Sequence, residues 1–204
     1  MKASQPISLL GYALLGLIHQ KPVSGYELRR TFSTTPMGSF SDSPGAIYPA
    51  LGRLEAAALI RGRIEKSAGL RQRQIFHITA SGLAALQQWL ATPITRLDIV
   101  RHLDAIMLRF AFMDGVAGPA RSHEFLRSFS EELDTYVQEL HAFFDVHNAN
   151  MPLSARLALE SGIRSYEAQR AWARSAVDAY ARSLKGKHSA PQSKTRQRKK
   201  GYLS

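Results

Sequence analysis

The chain has 204 residues, 45% of them hydrophobic, a formal net charge of +11 and no cysteine. That is enough apolar material for a packed core divided into two compact parts, and the missing thiols exclude disulfides, cysteine nucleophiles and cysteine redox switching. No stretch approaches the roughly 20 apolar residues of a membrane-spanning helix, and no G-x-S-x-G, Walker A, G-x-G-x-x-G, H-E-x-x-H or C-x-x-C motif supports an enzyme or a metal centre.

The apolar run from residue 7 to 18 is interrupted by Ser8 and Gly11 and has no small-x-small cleavage site, so it reads as a buried helix rather than a signal segment. Leu10, Leu14 and Leu17 stack on one face of this first helix, which ends near Pro22. Ser24 is placed to cap a second helix through Phe32, with Tyr26 and Leu28 inward and Glu27, Arg29 and Arg30 outward. Those two arginines serve equally as a solvated face or as phosphate contacts. Residues 33–42 read as a polar loop.

A third helix follows, with Ser43 as its N-cap and Pro44 at its first position. Ile47, Leu51, Leu54 and Ala58 recur at spacings of four, three and four and make its core face. Pro49 falls inside it, with Gly45 four residues earlier, which predicts a slight bend. The opposite face carries Tyr48, Gly52, Arg53 and Glu55, a mixture suited to a groove or to solvent.

Residues 60–66 and 71–78 read as two strands around a Ser67-Ala68-Gly69 turn. Arg61, Arg63, Lys66, Arg71 and Arg73 oppose Glu65 alone, so the hairpin is basic. A helix running directly into a basic two-stranded ribbon is the winged helix-turn-helix arrangement, with the helix for a major groove and the wing for the backbone or minor groove. Thr79 then caps a helix over residues 80–91 whose stripe is Leu83, Leu86 and Leu90, with Trp89 a core anchor rather than a base-stacking platform.

Beyond Pro93, residues 102–113, 119–147 and 154–184 read as helices broken at Asp114-Gly115 with Gly118-Pro119 and at 148–152. In the last, Leu159, Ile163, Tyr166, Arg170, Ala173, Val177, Tyr180 and Leu184 alternate spacings of four and three, a heptad-like seam that calls for a partner. About 80 residues in three helices have little core of their own, which predicts a homodimer through this region. Ten of the eighteen aromatics fall between residues 103 and 184, and Phe110, Phe143, Tyr166 and Trp172 are candidates to line a pocket for a small aromatic or hydrophobic effector, ordinary helix packing being the competing explanation. His141 and Asp145 are too few for a metal site, and Glu131, Glu132 and Asp134 read as a solvated acidic face. No cofactor is expected.

Charge divides with this organisation. Residues 1–92 carry +6, residues 93–184 carry −2, and residues 185–204 carry +7 without an acid. We therefore expect a DNA-binding domain over 1–92, a helical dimerisation and effector domain over 93–184, and a basic, disordered tail over 185–204 that adds nonspecific affinity for DNA or merely solubilises.

Leu14 to Ile18 (LLGLI), Ser24 to Leu28 (SGYEL), Gly45 to Glu55 (GAIYPALGRLE), Leu59-Ile60, and Phe76 to Thr79 (FHIT) followed by Gly82 together resemble the PadR-like transcriptional regulators over roughly the first 90 residues. Two departures stand out: Ala58 replaces the usual glycine before Leu59-Ile60, which bears on that turn, and Gly69 to Arg73 (GLRQR) replaces the usual wing-tip run, which bears on wing contacts. The resemblance implies a mainly α fold with a small hairpin wing, a pairing C-terminal helical part in its longer form, and in some members release from DNA by phenolic acids or other hydrophobic molecules. A two-fold dimer would address an inverted-repeat operator with half-sites about 34 Å apart or a multiple.

The function expected is a cytoplasmic, nucleoid-associated homodimeric repressor, with an activator or an architectural DNA-binding protein as alternatives. Candidate double-stranded-DNA contacts are Ser43, Tyr48, Pro49 and Arg53 at the groove and Arg63, Lys66, Arg71 and Arg73 on phosphate or in the minor groove.

Overall fold

The computed structural model describes residues 6–40, 44–66 and 72–188, without the side chains of Ser39, Pro44, Lys66, Lys187 and His188. Its mainly helical architecture with a small antiparallel sheet is the one the sequence predicts.

Helix α1 (Leu9–Gln20) starts where the Ser8 hydroxyl accepts a hydrogen bond from the Gly11 amide at 3.2 Å. It is buried on several sides through Leu10, Ala13, Leu14, Leu15 and Ile18, so it is the axle of the domain rather than a surface helix. A two-residue strand, β1 (Val23–Ser24), leads into α2 (Gly25–Thr34). Here Ser24 and Glu27 form a reciprocal capping box. Leu28 and Phe32, one turn apart, face the core, whereas Tyr26 is 61% exposed. The inward placement expected for Tyr26 is therefore wrong: two residues before Leu28 is about 200° around a helix, on the far side. Helix α2 takes the first two residues of the expected polar loop, and a 3-10 turn over Pro36–Phe40 occupies half of it.

A further 3-10 turn, Pro44–Ala46, precedes α3 (Ile47–Ala56). The α-helix thus begins later than the expected start at Pro44, with Ala46 at the cap position and no side-chain cap bond. Ser43 lies outside the described residues. Pro49 becomes the third residue of α3, inside the first turn, where its missing N–H has no helical acceptor, so the reason for a bend there disappears. Ile47, Ala50, Leu51 and Leu54 are the buried face.

The end of α3 shows what Ala58 does in place of glycine. The Leu59 amide donates to the Leu54 carbonyl and the Ala58 amide to the Glu55 carbonyl, both at 2.9 Å, which is a Schellman closure. Ala58 sits at its left-handed position with φ 56°. The turn keeps the shape a glycine would give it, at a steric cost of about 1–2 kcal/mol for the Cβ.

Strands β2 (Ile60–Lys66) and β3 (Gln72–Ile78) pair antiparallel from Ile60↔Ile78 to Lys66↔Gln72, and β1 pairs with β3 through Val23↔Phe76. The sheet order is β1-β3-β2; the sequence reading had no β1. Helix α4 (Ala80–Leu90) is capped by Thr79, whose hydroxyl accepts from the Gly82 amide at 3.0 Å and donates to the Ala58 carbonyl at 2.7 Å. Trp89 stacks on Tyr12 of α1 at 4.4 Å, as expected for a core anchor.

Four helices follow: α5 (Arg96–Arg101), α6 (Leu103–Ala117), α7 (Pro119–His147) and α8 (Leu153–His188). Helix α5 is not among the helices expected from the sequence, and of the break expected at Asp114-Gly115 with Gly118-Pro119 only the second half is real. Helix α6 runs through Asp114 and Gly115 and stops at Gly118, whose φ of 83° only glycine adopts freely. Asp114 survives near a helix end because the Ser122 and Tyr180 hydroxyls both donate to its carboxylate, the latter at 2.9 Å. Helices α7 and α8 form an antiparallel hairpin, bridged by Phe129 with Trp172, Arg174 with Asp134 at 2.6 Å, Tyr136 with Tyr166, and His141 with Glu167 at 2.8 Å. Ile163 and Ala173 of the α8 seam are buried against this hairpin, so the seam finds its partner inside the chain. At its far end α8 takes in residues 185–188; the rest of the basic tail lies outside the described residues.

Helix α6 joins the two parts. It packs on α1 and α4 on one side and on α5 and α7 on the other, and a single cluster of buried residues runs from Leu10 through Leu51 and Phe112 to Phe129 and Ala173. Arg109 of α6 is buried, with its guanidinium donating to the carbonyls of Leu90 and Thr92 at the end of α4. Burial pulls its pKa down, yet an arginine has enough margin to stay charged. Among the described residues no helix is long and apolar enough to cross a membrane.

Candidate nucleic-acid interface

The face of α3 opposite its core stripe is open. Tyr48 (53% exposed), Pro49, Gly52 and Arg53 line it. A Cβ on Gly52 would meet nothing within 4 Å, so no packing inside the protein asks for a glycine there. In an exposed helix interior it costs about 0.5–1 kcal/mol relative to alanine.

Glu55, which the sequence placed on this outer face, has a different task. Its carboxylate accepts a hydrogen bond from the Gly62 amide at 2.8 Å and so ties the end of α3 to the wing. Gly62 is required by the same contact, because a Cβ there would collide with the Gln74 carboxamide and approach Glu55 to 2.9 Å. The wing therefore leaves the helix at a fixed angle. Along it, the alternation of a strand puts Ile60, Gly62 and Ile64 on the face shared with Phe76 and Gln74, and Arg61, Arg63 and Glu65 on the other face with Arg73 and His77. Arg61, Arg63 and Arg73 are exposed. Lys66 closes β2 opposite Gln72, and Arg71 lies outside the described residues.

Between α2, α3 and β3 lies a cleft of about 560 Å³, lined by Ser24, Gly25, Tyr26, Tyr48, Arg73 and Gln74 among others. Gly25 shapes it, since a Cβ at this position would stand 2.9 Å from the Tyr48 ring. The carboxylate of Glu27 is turned into the cap, accepting from the Ser24 hydroxyl at 2.6 Å and the Ser24 amide at 3.0 Å. Those bonds hold its pKa below the ordinary glutamate value. Sequence reasoning missed Tyr26 here; the signal available was its helical phase relative to Leu28. Arg29 and Arg30 are exposed on α2.

The four aromatics proposed for an effector site do not converge. Phe110 and Trp172 meet edge-on at 5.9 Å in a cluster with Phe125, Phe129 and Tyr180. Tyr166 instead pairs with Tyr136, and half-exposed Phe143 lies against His147 near the end of α7. A cavity of about 550 Å³ does exist where α4, α6 and α7 meet, lined by Leu90, Pro93, Ile94, Met113, Arg121 and Phe125 among others. None of the four aromatics is in that lining. His141 bonds to Glu167, and no group of three or more His, Asp or Glu side chains suited to a metal occurs among the described residues.

The model of the transcriptional regulator PadR-like family matches residues 14–88. A PadR-like transcriptional regulator from Bacillus cereus is 35% identical over 39% of this chain and 76% of its own, with a TM-score of 0.35. The Bacillus subtilis PadR structure in complex with operator DNA is 21% identical, covering 84% of this chain and 98% of its own, with a TM-score of 0.38. That of Bacillus subtilis PadR in complex with p-coumaric acid is also 21% identical, over 88% and 99%, with a TM-score of 0.38. No curated protein matches the chain.

Proposed function

The chain belongs to the PadR-like family of transcriptional regulators, a family of DNA-binding proteins and not of enzymes, and from that premise we propose that it is a homodimeric repressor acting on an inverted-repeat operator. The observation that carries the reading is the open face of α3, with Tyr48, Pro49, Gly52 and Arg53 free to enter a major groove beside the exposed arginines of the wing. Arg53 is the candidate base reader, since a guanidinium can pair bidentately with guanine. Arg63, Lys66, Arg71 and Arg73 neutralise phosphates or reach the minor groove, and Ser43, just before α3 in sequence, is a further candidate contact.

Dimerisation through the helical part, residues 93–184, is supported by the apolar side chains left exposed on it, among them Leu97, Val100, Phe143, Leu153 and Leu157. Repression follows from occupancy: a dimer seated over a promoter blocks polymerase without further contacts. For the effector, the cavity at the junction of α4, α6 and α7 replaces the four scattered aromatics as the candidate, because an apolar molecule wedged there would bear on α4 and α6 together.

The test is titration of the purified chain against its own upstream DNA, a pool-selected duplex and a random duplex at near-physiological salt, with sedimentation to read oligomeric state. We expect a dimer that prefers one inverted repeat by at least about 10³, and Arg53→Ala to erode that preference. Equal affinity for every duplex would overturn the regulator reading in favour of an architectural protein.

A further inference from the structure

We propose that the cleft between α2, α3 and β3 clamps the sugar-phosphate backbone of one DNA strand at the edge of the groove that α3 enters, with the Tyr26 hydroxyl as a binding group beside Tyr48 and Arg73. The inference rests on the regulator reading above and adds a contact from α2 to it.

Two phenols stand in water on neighbouring helices, Tyr26 at 61% and Tyr48 at 53% exposure, and both line the same cleft as Arg73. Gly25 lets the Tyr48 ring lean against the first turn of α2, one residue before Tyr26. The groups offered are mainly donors: two O–H groups and a guanidinium. The acid nearest at hand, Glu27, lies within electrostatic reach of Arg73, but its carboxylate is hydrogen-bonded to Ser24 and makes no hydrogen bond to the guanidinium, and the Ser24 hydroxyl is engaged by Glu27 in return. A small cleft rich in donors and holding one positive charge suits an anion with several acceptor oxygens and no donors of its own, which describes a phosphodiester better than a base edge. Its place agrees, because the helix before a recognition helix crosses the backbone.

Tyr26→Phe removes one hydroxyl from an exposed side chain and should leave the melting temperature unchanged. Against both a duplex that wild type selects from a random pool and a random duplex, we expect this variant to bind about tenfold more weakly per subunit engaged, about 10²-fold for a dimer with both subunits on DNA, the loss of one hydrogen bond to a charged group at each, with the specificity ratio retained. A scan of methylphosphonate linkages through the selected duplex should find one per half-site whose neutralisation weakens wild type but adds nothing to the loss in Tyr26→Phe; Arg73→Gln should share that linkage and flatten the salt dependence by about one phosphate per contact. Wild-type affinity in Tyr26→Phe for both duplexes, or the absence of any shared linkage, would overturn the clamp while leaving the regulator reading intact. Should wild type select no duplex, the regulator reading falls, and the clamp stands or falls on Tyr26→Phe against wild type with the random duplex alone.

Discussion

A Cβ placed on Gly16 would stand 2.5 Å from the Phe112 ring, so the first helix of the DNA-binding part and α6 of the helical part approach closely here. Gly16→Ala should lower stability by about 1–3 kcal/mol through overpacking, despite alanine's better helix propensity. Combining it with Phe112→Leu should recover part of the loss, because the two residues share one space. Urea midpoints of the four proteins in that cycle measure the coupling, and strictly additive losses would contradict the contact.

At Ala58, relief is expected instead. Ala58→Gly removes a Cβ from a left-handed residue, gaining about 1–2 kcal/mol of steric relief and returning about 0.4–1 kcal/mol in unfolded-state entropy. A net rise in stability of about 0.5–1 kcal/mol, with DNA affinity unchanged, is the expected result of thermal and binding measurements on the same preparation.

Gly52 should separate stability from function. Gly52→Ala fills open space, so the fold should gain about 0.5–1 kcal/mol, while a methyl group on the groove-facing surface of α3 should weaken binding to the selected duplex by tenfold or more. A variant that is both more stable and binds as wild type would argue that α3 does not approach DNA closely.

Acid should act on the α2 cap. The Ser24 hydroxyl and amide hold Glu27 below its ordinary value of 4.5. A depressed carboxyl pKa means stability that is fully present above the unfolded value and lost as pH falls through the folded one. Glu27→Gln should therefore melt lower than wild type at pH 7, with the gap narrowing below about pH 4.5. The effect is small because the side chain is largely in water, and differential scanning calorimetry at pH 7 and pH 3 would read it. A gap that widens in acid would reverse the assigned sign.

Much of this molecule is legible before folding because its signals are local. The Ser24 and Thr79 caps, the core stripe Ile47, Leu51 and Leu54, and the paired strands around residues 67–71 follow from spacing and side-chain chemistry alone. What escaped depends on distance in sequence or on brevity. Strand β1 has two residues and exists only because β3 offers an edge. Helix α5 has six, although its Thr95 and Asp98 capping box was there to be read. The passage of α6 through Asp114-Gly115 depends on Ser122 and Tyr180, which local rules cannot see. Among the candidate site residues, Tyr48, Pro49 and Arg53 sit together on α3, whereas the grouping of Phe110, Phe143, Tyr166 and Trp172 assumed a convergence that packing does not deliver.

The uninterrupted core through α6 bears on how the molecule measures DNA. A reading head on a flexible linker would tolerate half-sites at many separations, like two weights on a string. Here α1, α4 and α6 share one set of buried side chains, so the head is rigidly mounted on a shaft whose longest member, the 36-residue α8, spans about 54 Å. In the homodimer proposed above, two such bodies joined by their shafts would behave as calipers. Inserting half a helical turn of DNA between the half-sites would rotate one of them to the far side of the duplex, and the heads could not follow. On that proposal, anything that splays the jaws would act as a release catch, with no need to touch the reading surface itself.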